Sequence, residues 1–364
     1  MWEWALSPVQ AERSSAIREK VREMATRPAV FKSTPAKVLP KKAQPFFGLR
    51  KPDLLSIQDL SPQEVEGILE LTSAVKTHPR EFAHALDGKQ VVLMFEKPSL
   101  RTRLTFEVGV KSLGGTSYFV DQKGSRIGER EKLSDVAHNL ERWLDGIVLR
   151  TFEHSTVTEM AKNATIPVIN GLSDLEHPCQ ALADYFTLKE KFGSLKKIKL
   201  AYVGDGNNVA HSLLLTAAML GSKIAIATPA GYEPNHDTVL RACEIASHTG
   251  AQIEITSDVA QAVNGANAIY TDVWASMGQE DEAAARKAIF HPYQVNSSLM
   301  RMAASDAYFM HCLPAHRGDE VTDEVMDSPN SIVFDEAENR LHVQKSILLL
   351  LMGNSSLNSW SANA

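Results

Sequence analysis

The sequence predicts an α/β protein built as two doubly wound parallel-sheet domains linked by interdomain helices. Three observations carry this. Short apolar runs alternate with amphipathic helical stretches, the alternation occurs twice over, and 364 residues exceed the length at which one core usually stops growing. Strands separated by helices pair in parallel, and a parallel sheet needs helices on both faces. Such sheets present their reactive groups at the C-terminal ends of the strands.

The elements follow in order. Residues 61–76 form a helix with Ser61 as N-cap, because Glu64 stands three positions on. Strand 91–95 leads to helix 102–113, strand 116–120 to helix 132–143, and strand 146–149 to helix 157–163. Strand 167–170 then leads to helix 179–192, the natural bridge between the halves. The second series runs strand 199–204, helix 208–220, strand 223–228, helix 236–249, strand 252–256, helix 259–266 and strand 268–273. Helical material over 282–302, the apolar strand 308–312 and a last helix over 338–352 complete it. Residues 1–46 stand apart as a flexible N-terminal extension. Within them, residues 25–42 contain no acid and three prolines, but the four glutamates before Met24 argue against a transit peptide.

Composition narrows the function. A hydrophobic fraction of 44% and a charged fraction of 23% are those of an ordinary globular protein. A net charge of -6 excludes a typical nucleic-acid binder, so a local basic cluster points to a small anionic ligand. Three scattered cysteines make no disulfide framework and suit a reducing compartment. No apolar run approaches the roughly 18 residues that span a bilayer, and no signal-peptide core is present.

Five segments fall at predicted strand ends. Ser99-Leu100-Arg101-Thr102-Arg103 opens a helix directly after a strand, where free backbone N–H groups, two hydroxyls and two guanidinium forks suit a phosphate. Arg150 leaves a buried strand, and His177-Pro178-Cys179-Gln180 launches the bridging helix. Asp272 to Gly278 and His311-Cys312-Leu313-Pro314 end two strands of the second series. Each has a plain reading: a surface arginine, a helix-start histidine, a turn-capping aspartate, an inert buried thiol. Zinc is disfavoured because His177/Cys179 and His311/Cys312 lack ligand spacing and strand neighbours point to opposite faces. A dinucleotide fingerprint at Gly204-Asp205-Gly206 fails because Val209 replaces the third glycine and no acid closes strand 223–228.

Taken together, the segments from Phe95 to Arg103, His177 to Gln180, Asp272 to Glu280 and His311 to Gly318, with Arg150, resemble the aspartate/ornithine carbamoyltransferase family. The resemblance covers the chain from about Phe47 to Gly353. It implies a carbamoyl-phosphate domain over 47–186 joined by helix 338–353, an amino-acid domain over 187–337, and a homotrimer or multiple of trimers. It also implies that Ser99, the Leu100 backbone, Arg101 and Thr102 grip phosphate. Arg150, His177, Gln180 and Arg340 surround the carbamoyl group and phosphate, with Cys312 and Leu313 beside the carbamoyl carbon. Asn208, Asp272, Ser276 and Met277 match the ornithine contacts, and neither metal nor cofactor is implied. Leu100 stands where threonine is common, and Arg126 where many relatives carry a glutamine that reaches carbamoyl phosphate.

The chemistry agrees. The attacking amine of ornithine titrates near a lysine's ~10.4, so a base must take its proton. Asp272 and Cys312 are the expected acceptor pair, with Asp272 also orienting the α-ammonium. His177 and Arg101 are expected on the carbamoyl oxygen, and Gln180 on its NH₂. Asp272 as an ammonium partner favours free L-ornithine over N-acetylornithine, and putrescine lacks the carboxylate. The acid and neutral groups of Asp272 and Ser276-Met277-Gly278 do not suit aspartate. A catalytically silent binding subunit is the reading of another class. The compartment expected is the cytoplasm, or the mitochondrial matrix if the N-terminal segment is a transit peptide.

Overall fold

The structure, a computed structural model, describes residues 49–122, 125–275 and 282–353. The N-terminal extension over 1–46 lies outside them. Two all-parallel sheets organise the rest. Helix α1 (Pro62–Thr77) begins with the Ser61/Glu64 capping box anticipated above. It is followed by β1 (Gln90–Phe95), α2 (Leu100–Ser112), β2 (Thr116–Asp121), α3 (Leu133–Trp143), β3 (Gly146–Arg150), α4 (His154–Asn163) and β4 (Val168–Leu172). The strands pair in the order β2-β1-β3-β4.

Helix α5 (Pro178–Phe192) crosses to the second half, buried from Pro178 through Leu188, with Gln180, Asp184 and Thr187 forming a buried polar stripe on one face. There β5 (Lys199–Val203), α6 (Asn208–Leu220), β6 (Lys223–Ala227), α7 (His236–Thr249), β7 (Gln252–Thr256), α8 (Val259–Val263) and β8 (Ala268–Thr271) follow. After α9 (Ala283–Phe290) and α10 (Ser297–Met300) come β9 (Tyr308–His311), α11 (Asp323–Met326) and α12 (Val333–Met352). This sheet has the order β7-β6-β5-β8-β9.

One apolar core is continuous between the sheets, joining Leu93 and Phe95 to Tyr202 and Ile226 through α5, α6 and α12. Smaller cores cover the outer face of each sheet. In both sheets the strand order reverses once, between β1 and β3 and between β5 and β8. At such a reversal the loops leave in opposite directions and open a crevice beyond the strand ends.

Several expected elements differ, among them helix 157–163, which begins at His154. Helix α12 starts at Val333 rather than 338, because its first turn has no side-chain cap and is held instead by Glu336 accepting from the His311 N–H at 3.1 Å. Residues 282–302 are broken by the 3-10 turn His291–Tyr293, which contains Pro292. Helix 259–266 stops at Val263 and turns through Gly265 at φ +67°.

Candidate active site

The two crevices meet in one cavity of about 1070 Å³. Its lining includes Ser99, Leu100, Arg101, Thr102, Arg150, His177, Gln180, Asn208, Asp272, Cys312, Leu313 and Arg340. Every candidate within the described residues therefore reaches a single space. Ser276 and Met277 lie outside the described residues. Arg126 does not line the cavity: it is exposed, pairs with Glu153, and lies 5.4 Å from the Phe152 ring.

One end of the cavity is cationic. Ser99 is the N-cap of α2, its hydroxyl accepting from the Thr102 N–H at 3.2 Å. The other free N–H groups of that helix end face the same region as its dipole. Arg340 reaches in from α12, donating to Thr102 Oγ1 at 3.0 Å and to Gln180 Oε1. Arg150 leaves the end of β3 buried, its Nε without a partner. Burial and the Arg340 charge lower its pKa to about 10, which still leaves it charged at neutral pH. Arg101, which also lines the cavity, joins Arg150 and Arg340 in a strong anion trap.

His177 caps the start of α5, its backbone N–H tied to Ser212 Oγ at 2.9 Å. Its ring Nδ1 is buried without a partner. Burial, then the charges of Arg340 and Arg150, hold the imidazole well below its usual pKa, so the ring is neutral. A neutral imidazole beside the anion trap can donate one hydrogen bond to a substrate oxygen without bringing a proton to exchange.

The opposite end is acidic. Asp272 follows β8 and accepts from Cys312 Sγ at 3.0 Å, from Asn207 Nδ2 at 2.7 Å and from the Val273 N–H at 2.8 Å. Burial, with Asp272 alongside, pushes the Cys312 thiol well above its usual value, so the proton stays on sulfur and the carboxylate is the acceptor of the pair. Asn208 donates to the Ser173 carbonyl at 2.7 Å. Leu313 takes φ 57°, rare for a residue with a side chain, and its N–H donates to His311 Nδ1 at 2.9 Å.

The expectation that His311 and Cys312 face apart does not hold. Strand β9 ends at His311, so the pleat no longer separates them, and ligand atoms of Asp272, His311 and Cys312 lie within 4.8 Å of one another. Both His311 nitrogens are already engaged, Nδ1 by Leu313 and Nε2 with Glu320 at 3.2 Å. Within the trio only Cys312 and Asp272 bond each other, and His311 is engaged by Leu313 and Glu320 outside it. The glycines of Gly204-Asp205-Gly206 also find their reason here, since a Cβ on Gly206 would sit 2.3 Å from the Pro234 nitrogen.

Four participants escaped sequence reasoning. Asn207 clamps Asp272, Lys97 lines the cavity with its ammonium 4.6 Å from the Phe152 ring, and Asp184 and Glu336 lie behind Gln180. Two of them carried a signal, Asn207 as the residue after a glycine turn at a strand end and Lys97 as part of the Phe95–Arg103 segment.

Comparison with known proteins agrees with this arrangement. The sequence model of the aspartate/ornithine carbamoyltransferase carbamoyl-P binding domain matches residues 52–190, and that of the Asp/Orn binding domain matches residues 196–351. An ornithine carbamoyltransferase of Thermococcus kodakarensis is 50% identical over 303 residues, covering 83% of this chain and 96% of that protein. One from Symbiobacterium thermophilum is 51% identical over 306 residues, covering 84% and 99%. The solved ornithine carbamoyltransferase of Pyrococcus furiosus superposes with a TM-score of 0.80 at 49% identity, covering 82% of this chain and 96% of that one.

Proposed function

The chain belongs to the aspartate/ornithine carbamoyltransferase family, and on that premise we infer that it transfers the carbamoyl group of carbamoyl phosphate to the side-chain amine of L-ornithine, giving L-citrulline and phosphate. The observation that carries this reading is one cavity with a three-arginine anion trap at one end and a buried, triply hydrogen-bonded Asp272 at the other. A cationic amino acid and an acyl phosphate need those two ends.

In this reading the N-terminus of α2, Arg101, Arg150 and Arg340 hold the phosphate. Neutral His177 and Arg101 donate to the carbamoyl oxygen as charge develops there. Gln180 Oε1, which spends one lone pair on Arg340, offers the other to the carbamoyl NH₂. Asp272 orients the α-ammonium of ornithine and takes one proton from its side-chain ammonium, which frees the amine to attack. The new N–C bond forms, the C–O bond to phosphate breaks, and the second proton of the attacking nitrogen passes to the departing phosphate, which leaves as a hydrogen-phosphate dianion stabilised by the arginines. Residues 47–186 with the C-terminal helix hold carbamoyl phosphate, and residues 187–337 hold ornithine.

Exposed apolar side chains on α2 and β2 argue for self-association. Leu100, Leu104 and Val108 on the helix and Tyr118 and Val120 on the edge strand are exposed, and an apolar edge of this kind calls for a partner. A homotrimer or multiple of trimers covers it, and light scattering of the wild type against L104E reads it directly; a monomeric wild type refutes it. No helix among the described residues is long and apolar enough to cross a membrane. Free cysteines suit a cytoplasmic enzyme.

The test of the reaction is product formation from carbamoyl phosphate with ornithine, N-acetylornithine, putrescine and aspartate in parallel. Preference for ornithine supports the assignment. Preference for N-acetylornithine removes Asp272 as an ammonium partner, and no product with any amine leaves only a binding role.

A further inference from the structure

Behind the cavity wall lie two buried carboxyl groups that the reaction as described does not use. Asp184 on α5 and Glu336 on α12 are within hydrogen-bonding reach of each other, and both are fully buried. The Gln180 amide spends its NH₂ on them, donating to Asp184 Oδ1 at 2.8 Å and to Glu336 Oε1 at 2.9 Å. Glu336 also accepts from the Tyr270 hydroxyl at 3.1 Å and from the His311 N–H at 3.1 Å. On the far side of the amide, Gln180 Oε1 accepts from Arg340, which in turn donates to Thr102.

Two adjacent buried carboxyls do not both ionise at neutral pH. Burial pushes both above the usual carboxylate range, so the pair keeps one proton. Counting donors locates it. Glu336 accepts three hydrogen bonds and Asp184 one, and Asp184 Oδ2 has no other partner. The charge therefore rests on Glu336 and the proton on Asp184. With two acceptors behind it, the Gln180 amide cannot flip without turning its N–H groups onto Arg340, which also donates.

We propose that Asp184 and Glu336 are positioning residues for carbamoyl transfer: a singly protonated pair that locks the Gln180 oxygen toward the substrate and holds Arg340 in the phosphate grip. The proposal rests on the carbamoyl-transfer reading above. Through Tyr270 and His311 the same pair ties the grip to β8 and β9, at whose ends Asp272 and Cys312 stand.

The test compares D184N with E336Q, by calorimetry with carbamoyl phosphate and by steady-state kinetics with ornithine. An amide at 184 can still accept from Gln180 and donate to Glu336, so D184N binds carbamoyl phosphate within about threefold of wild type. An amide at 336 offers one oxygen to three donors, so E336Q loses about 10- to 100-fold in affinity. Its KM for carbamoyl phosphate rises far more than its KM for ornithine. Equal effects of the two amides overturn the proposal, because a packing role or a bulk-charge role treats them alike. Thermal melting checks folding. If E336Q melts below the assay temperature, D184N against D184L decides: a near-normal D184N beside a weakened D184L supports the pair, and equal losses overturn it. Citrulline formation by the wild type separates the two readings. A wild type without it but with the binding asymmetry defeats the transfer reading alone, whereas normal turnover with symmetric variants defeats the pair alone.

Discussion

Replacing Asp272 with asparagine tests the acidic end of the cavity most sharply. The carboxylate is 6% exposed and accepts from the Cys312 thiol, Asn207 Nδ2 and the Val273 N–H at 3.0, 2.7 and 2.8 Å. An amide keeps one acceptor oxygen. If that oxygen stays on Val273 and Cys312, the new NH₂ meets the NH₂ of Asn207. Asn207 cannot flip to relieve it, because its Oδ1 caps α6 by accepting from the Val209 and Ala210 N–H groups at 2.9 and 3.2 Å. The mismatch costs about 1–3 kcal/mol of stability. The lost charge costs a further 1.5–3 kcal/mol in binding an ammonium, or roughly 10- to 150-fold in the KM for ornithine. Loss of the proton acceptor lowers kcat by about 10²–10⁴. Initial-rate measurement of citrulline across ornithine concentrations reads both, and calorimetry with carbamoyl phosphate serves as the control, expected within about twofold of wild type. An ornithine KM and kcat close to wild type in a folded D272N protein would refute the assignment.

Arg150→Met removes a buried cation that faces Arg340 without a partner at Nε, so the free protein should melt no lower than wild type while the stabilisation by added carbamoyl phosphate disappears. A retained ligand-induced shift in melting temperature would count against Arg150 in the phosphate grip. Of the three thiols, only exposed Cys243 should react with a disulfide reagent at pH 8, since burial pushes Cys179 up to about 12 and Cys312 also well above its usual range. Two rapid equivalents would show that Cys312 ionises. Glu176 accepts from Ser56, Ile57 and Ser212, yet burial raises its pKa to about 7. A carboxyl raised in the folded state stabilises below its unfolded pKa and loses that contribution as pH rises towards about 7. Over that window wild type should lose roughly 3 kcal/mol relative to Glu176→Gln, read from denaturant midpoints at several pH values, and parallel curves would exclude it.

The alternation of apolar runs and amphipathic stretches was enough to define two parallel sheets, because a chain whose strands are separated by helices has few other ways to pair them. Ser61 and Glu64 announced a helix start correctly, since a capping box is a local exchange of two hydrogen bonds. The first turn of α12 gave no such sign. It is held by Glu336 reaching the His311 backbone, and a contact between residues 25 positions apart leaves no mark in local periodicity.

The site divides in the same way. Sequence alone determined which residue types stand at strand ends: the Ser99–Arg103 turn, Arg150, His177, Asp272 and Cys312. Their chemistry is carried by the side chain itself, and the position by a period that the chain displays. Only the tertiary structure decided that they share one cavity, that His177 is neutral, that Cys312 keeps its proton and that Asp184 and Glu336 stand behind Gln180. Protonation and hydrogen-bond direction depend on burial and on neighbours brought from distant elements, and those exist only once the two sheets have closed on a common core.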